Sequence, residues 1–137
     1  MRRVLIAVWL MACVCACAST STTPDNAAAL RDIAARRSGS EVVIQGPVTN
    51  VFAVESGPSG RHAVFMVTLR NDGQSVPVLV ADNISIAQAA PVRRGDSVVV
   101  KGELAFNGLG PVVHWTHRDP RLRHAPGFVE VGGKVYE

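Results

Sequence analysis

Residues 114–124 read HWTHRDPRLRH and hold three of the chain's four histidines, one aspartate and three arginines. Imidazole nitrogens and a carboxylate are ligands that zinc and other transition metals accept, which makes His114, His117 and His124 candidate metal ligands. The same side chains could also hydrolyse a phosphodiester. A histidine would act as general base, Asp119 would orient it, and Arg121 or Arg123 would stabilise charge on phosphate. His114, His117, Asp119, Arg123 and His124 are then the catalytic candidates. A divalent metal is the less favoured cofactor, because residues three apart on a strand face opposite sides. His114 and His117 converge only if the chain bends at Trp115-Thr116.

A structural role needs no ligand at all. Trp115 would fill one end of a core, and Thr116 and Asp119 would cap a turn through side-chain to backbone bonds. His114 or His124 would donate to a buried carbonyl or to Glu103, and Arg123 would pair with Asp119 or Glu103. Such a cluster can satisfy its own hydrogen bonds.

The elements that must position this segment are mostly extended. After Gly39 the texture is β-branched runs punctuated by turn residues, and 41–54, 61–70, 75–81, 97–106 and 111–116 read as strands. Gly46 predicts a bulge or sharp bend in the first. Asn71-Asp72-Gly73 predicts a tight hairpin, since Asp-Gly tolerates positive φ. Residues 82–91, DNISIAQAAP, read as a short helix ended by Pro91, and Gly132-Gly133 predicts a last hairpin between Phe128–Val131 and Lys134–Tyr136. Three strands, a helix and two strands are the order of an OB barrel, so the fold class is all-β with one or two short helices: a small five-stranded OB-like barrel with a C-terminal hairpin. A β-sandwich or a helix-capped open sheet is the alternative, but a sandwich needs a strand where the helix falls.

OB barrels bind ligands on the face of strands two and three and on the loops joining strands one to two and four to five. Those loops are 55–60, ESGPSG, and 107–110, NGLG. His62, Asn107 and Trp115 are accordingly the ligand-binding candidates. Nucleic acid is not a favoured partner, because single-strand grooves interleave exposed aromatics with basic residues. This chain is poor in aromatics, and Phe52, Phe65 and Phe106 read as core.

The N-terminus sets location. MRRVLIAVWLMACVCACAST places two arginines before an apolar run that is too short for a membrane span of about 20 residues. Val14-Cys15-Ala16-Cys17 resembles a lipobox, and Leu10-Met11-Ala12-Cys13 fits nearly as well; the former gives residues 1–16 as signal peptide and Cys17 as the lipidated residue. Cleavage after Ala18 would instead leave a soluble periplasmic protein. Residues 17–40 read as a tether and a helix capped by Asp25 or Asn26, with Leu30 and Ile33 on a thin apolar face, and 41–137 as the barrel domain. Ala18 after Cys17 points to the periplasmic face of the outer membrane. Loss of Arg2 and Arg3 lowers Lys+Arg from 14 to 12 against 11 acids, so the net charge falls from +3 to +1. That balance does not suit a globally basic nucleic-acid binder.

From Gly60 to Tyr136 the chain resembles the DUF3465 family of small bacterial OB-like proteins of uncharacterised function. The resemblance lies in Gly60-Arg61-His62, Phe65, Ala81-Asp82-Asn83-Ile84, Gly95-Asp96, Gly102-Glu103 and Asn107. It is most specific in His114-Trp115-Thr116-His117 with Asp119-Pro120, Arg123-His124, Gly127 and Tyr136. It implies an OB-like fold and no activity. The expectation is an exported, lipid-anchored envelope protein. Its barrel would be a binding module for a small ligand, a glycan or a protein, with membrane contact through the lipid. The alternative is a metal-assisted phosphodiesterase or nuclease-like hydrolase built on the C-terminal cluster.

Overall fold

The computed structural model describes residues 22–137. The expected signal peptide, Cys17 and the first part of the expected tether lie outside the described residues. The helix α1 (Asn26–Ala34) begins where Asp25 accepts from the Ala28 N–H at 2.8 Å, which satisfies one of the free donors of the first turn. Its thin apolar face does pack: Ala29 and Leu30 are buried in the core. Asn26 fixes the docking angle. Its side-chain amide donates to the Gln45 carbonyl at 2.8 Å and accepts from the Gln45 N–H at 2.9 Å, imitating a neighbouring strand.

Eight strands follow: β1 (Glu41–Val51), β2 (Glu55–Gly57), β3 (Gly60–Asn71), β4 (Gln74–Asn83), β5 (Ser97–Asn107), β6 (Gly110–His114), β7 (Phe128–Val131) and β8 (Lys134–Tyr136). Five of them pair in a closed ring, β1-β3-β4-β6-β5, with β5 returning to β1. All contacts in the ring are antiparallel except β4 with β6. This is the expected OB-like order, with β3 and β4 as its second and third strands. Strand β1 serves two partners, β5 with its first half and β3 with its second. Gly46 sits at the change-over, where a Cβ would run into the Thr68 carbonyl. The bulge itself falls slightly later, between Val48 and Asn50.

The interior is filled by alternate residues. Phe65, Val67 and Leu69 from β3, Val78 and Val80 from β4, Val98, Val100 and Leu104 from β5, and Val113 from β6 are all buried in one cluster. Each such side chain contributes roughly 1.5–3 kcal/mol by leaving water. The odd residues of β3 and the even residues of β4 point inward. His62 and Asn83, paired across the two strands, therefore fall on the outer face. The hairpin between β3 and β4 turns on Asp72 and Gly73, both at positive φ (45° and 78°), as Asp-Gly predicts.

The expected helix over 82–91 does not form, and α1 is the single helix among the described residues. Strand β4 instead runs on to Asn83. Ile84 then donates to the Arg61 carbonyl at 2.9 Å, and the Asn83 side chain accepts from Ser85 N at 3.1 Å. A single turn follows, Ala87 N donating to the Asn83 carbonyl at 3.0 Å, and it is not continued into a helix. The loop at 55–60 is also more ordered than expected, since β2 within it pairs with the start of β3.

Beyond His114 the chain leaves the ring, crosses its outside and returns as β7, which pairs with the half of β5 that β6 leaves free. Gly102 and Gly127 make the crossing tight. A Cβ at Gly102 would strike the His114 carbonyl, and one at Gly127 the carbonyls of Trp115 and Lys101. The hairpin of β7 and β8 turns on Gly132-Gly133 as expected.

Candidate functional site

The segment 115–127 lies against the outer face of β3, β4 and β6 and encloses an open cavity of about 420 Å³. His62 from β3, Ala81 and Asn83 from β4, and His114 from β6 form its strand side. Trp115, His117, Arg123 and His124 form the opposite wall, with Ser59 and Ile86 at the rim. All four histidines of the chain thus line one pocket. It occupies the face of the second and third ring strands, where OB-like proteins take their ligands.

The bend that unites them is at Trp115, whose φ is 54°. A left-handed residue there breaks the strand alternation and turns Thr116 and His117 inward, where they are 0% and 3% exposed. Trp115 does not fill the core end as the sequence suggested. It is 38% exposed, its indole stacked on His124 (4.8 Å between centroids, 7° between planes) and tilted against His114 at 4.6 Å.

His124 Nδ1 lies 2.8 Å from the Ala125 carbonyl, which can only accept, so Nδ1 carries the proton. In the neutral ring, Nε2 is then left with its lone pair. It lies 3.3 Å from His117 Nε2, the two rings meeting edge to face. Burial pushes His117 below the ordinary imidazole range, helped by the neighbouring His124. Burial does the same to His114, against the pull of Glu103 across the β5/β6 pair. His114 Nε2 is 3.7 Å from the Glu103 carboxylate, too far for a hydrogen bond. This atom and His117 Nδ1 are both buried without a hydrogen-bond partner. His62 Nε2 faces Ser59 Oγ at 3.4 Å.

Two further carboxylates, Asp119 and Asp82, are committed elsewhere. Asp119 is buried and accepts from Arg121 N (3.0 Å), Arg123 N (2.9 Å) and Arg123 Nε (2.9 Å). The Arg123 side chain, with the backbone N–H of Arg121, holds its carboxyl well below the usual range. Asp119 thus caps the turn, as the structural reading expected, and its hydrogen bonds go to the loop and not to a histidine. Thr116 instead donates to Asp82 Oδ1 at 2.8 Å, the last inward position of β4. Burial raises Asp82 from 3.8 to about 6, against the pull of that hydrogen bond. Arg118 pairs with Glu137 at 2.8 Å.

Of the residues marked in the sequence, His62, His114, Trp115, His117, Arg123 and His124 line one cavity. Asn107 is not among them: it sits at the turn between β5 and β6 and accepts from Leu109 N at 2.8 Å. Asn83 and Ser59 are additions. Asn83 Nδ2 donates to the Ser59 carbonyl at 2.9 Å, tying the loop to the pocket floor. The available signal was parity, since Asn83 stands opposite His62 on the outward face. Among the described residues no three of His, Cys, Asp or Glu are grouped so as to hold a metal ion as they stand. No helix among them is long and apolar enough to cross a membrane.

The family model described as DUF3465, protein of unknown function, matches residues 11–137. No curated protein matches the chain.

Proposed function

The chain belongs to the DUF3465 family, and from that premise we propose that it is an exported envelope protein, lipid-anchored through Cys17, whose OB-like ring binds a small polar ligand in the histidine-lined pocket. The observation that carries this reading is the convergence of His62, His114, His117 and His124 on one open cavity, with two buried ring nitrogens lacking a partner. Buried polar atoms are rarely left unpaired in the absence of water or a ligand. The cavity volume falls within the range of small-molecule sites, roughly 300–1,000 Å³.

Binding is favoured over hydrolysis because Asp119 and Arg123 neutralise each other and cap the loop. Asp119, bonded to Arg121 N, Arg123 N and Arg123 Nε, is not left to orient a base.

The test is a thermal unfolding series with divalent metals, phosphate, carboxylates and saccharides. A ligand of the native state raises the midpoint by mass action. His62→Ala, on the strand side of the pocket, should abolish the shift. No shift with any ligand would refute the binding function. The anchoring is tested separately: Cys17→Ser should move the protein from the membrane to the soluble fraction, and unchanged fractionation would refute it.

A further inference from the structure

We propose that the ligand is a transition-metal ion of the kind that prefers imidazole, held between Nε2 of His117 and Nε2 of His124, with the rest of its coordination open toward the pocket. This rests on the pocket being a ligand site and names its occupant.

Two nitrogens bound to one tetrahedral ion at about 2.0–2.1 Å lie roughly 3.3–3.4 Å apart. The two Nε2 atoms are 3.3 Å apart. One ring is fixed from behind. His124 is anchored by its Nδ1–H to the Ala125 carbonyl and by the Trp115 stack. A backbone carbonyl on the far nitrogen is the usual support of a metal-binding histidine, because it sets the tautomer and directs the free lone pair at the ion. The His117 ring is held by burial, its Nδ1 having no partner, while its backbone carbonyl accepts from Gly127 N at 3.0 Å.

Without an ion, neither tautomer of His117 is satisfied. A proton on Nε2 can be given to His124 but leaves Nδ1 a buried acceptor with no donor. A proton on Nδ1 has no acceptor and sets two lone pairs face to face. A cation between the rings removes the facing lone pairs, though the Nδ1 proton still has no protein acceptor. Calcium and magnesium need several oxygen ligands, whereas the ionisable side chains lining the cavity are four imidazoles and Arg123, with Asp82 bonded to Thr116 and Asp119 to Arg123. Nitrogen ligands favour zinc, copper or nickel. His62 and His114 line the same cavity, and the remaining positions of the ion are left to water or an exogenous group.

The experiment uses the protein as the cell processes it, stripped of metal. Calorimetric titration with zinc chloride should saturate at one equivalent per chain, and magnesium chloride should give no heat of binding. X-ray absorption at the zinc edge should show imidazole backscattering from at least two rings. His124→Ala and His117→Gln should each weaken binding by at least about tenfold, with circular dichroism confirming their fold. Because the edge spectrum is read on the wild type, the test stands even if a variant unfolds. Unsaturable binding, a spectrum without imidazoles, or full affinity in both variants would overturn the proposal. If zinc fails while phosphate or a saccharide raises the unfolding midpoint, the metal falls and the pocket stands. If nothing raises it, both fall.

Discussion

Thr116 Oγ1 donates to Asp82 Oδ1 across 34 residues of sequence, and both side chains are almost completely enclosed. The bond joins the last inward position of β4 to the first residue after the bend at Trp115. The wall of the pocket is thereby pinned to the ring at the point where the chain leaves it.

Asp82 should make stability fall as pH rises. Its folded value, about 6, lies above the ordinary 3.8, so the native state holds the proton more tightly than the unfolded chain does. The sign is therefore negative between about pH 4 and 6, and the loss is roughly 3 kcal/mol, complete above that window. His114 and His117, both lowered, work in the opposite direction, and the coulombic pull of His62 is already contained in the Asp82 value. The measurable quantity is accordingly the difference between wild type and Asp82→Asn in urea unfolding. Asparagine keeps an acceptor for Thr116, and its stability relative to wild type should rise from pH 4 to pH 7. A constant difference would show that Asp82 does not titrate in this window.

Gly127→Ala should be severely destabilising. The added methyl would meet the carbonyls of Trp115 and Lys101, both backbone atoms that cannot swing aside. Overpacking against fixed atoms costs about 3 kcal/mol. Gly57→Ala is the control, because nothing lies within 4 Å of its would-be Cβ, and it should change stability by less than about 0.5 kcal/mol. Equal effects in denaturant unfolding would refute the tight crossing of the tail.

Asp119→Asn should loosen the turn and spare the ring. An amide cannot accept from Arg121 N, Arg123 N and Arg123 Nε as the carboxylate does. Amide hydrogen exchange should accelerate at Arg121 and Arg123 and stay unchanged in β3 and β4. Because the carboxyl is held below its ordinary range, its contribution is present above the unfolded carboxylate value and is lost as pH falls through the folded one. Uniform exchange across the ring and the turn would contradict this.

Much of the ring was legible in the sequence because its signals are local. Asp72-Gly73 and Gly132-Gly133 carry the positive φ that tight hairpins need, and alternating valines mark the inward face of β4 and β5. The helix expected over 82–91 stops at one turn because β4 runs on to Asn83, paired with His62, and Ile84 is bonded to Arg61, a long-range pairing that composition does not reveal. The histidine cluster was half legible. His114, His117 and His124 are neighbours in sequence, and the need for a bend at Trp115-Thr116 was readable from strand parity. That His62 joins them depends on the outward face of β3 being covered by a tail more than fifty residues later. No local pattern encodes that contact. Asn107 misled because the loop joining the fourth and fifth ring strands often binds ligand in this architecture, whereas here the tail after β6 supplies the wall.

The most direct test of the central claim is a nitrogen-15 correlation spectrum of the four imidazoles, recorded while metal, phosphate and saccharide are titrated in turn. If His62, His114, His117 and His124 share one ligand pocket, at least one titrant shifts the ring nitrogens of all four along a single binding curve, with His117 and His124 moving most. Four rings that titrate independently, or that ignore every titrant, would contradict it.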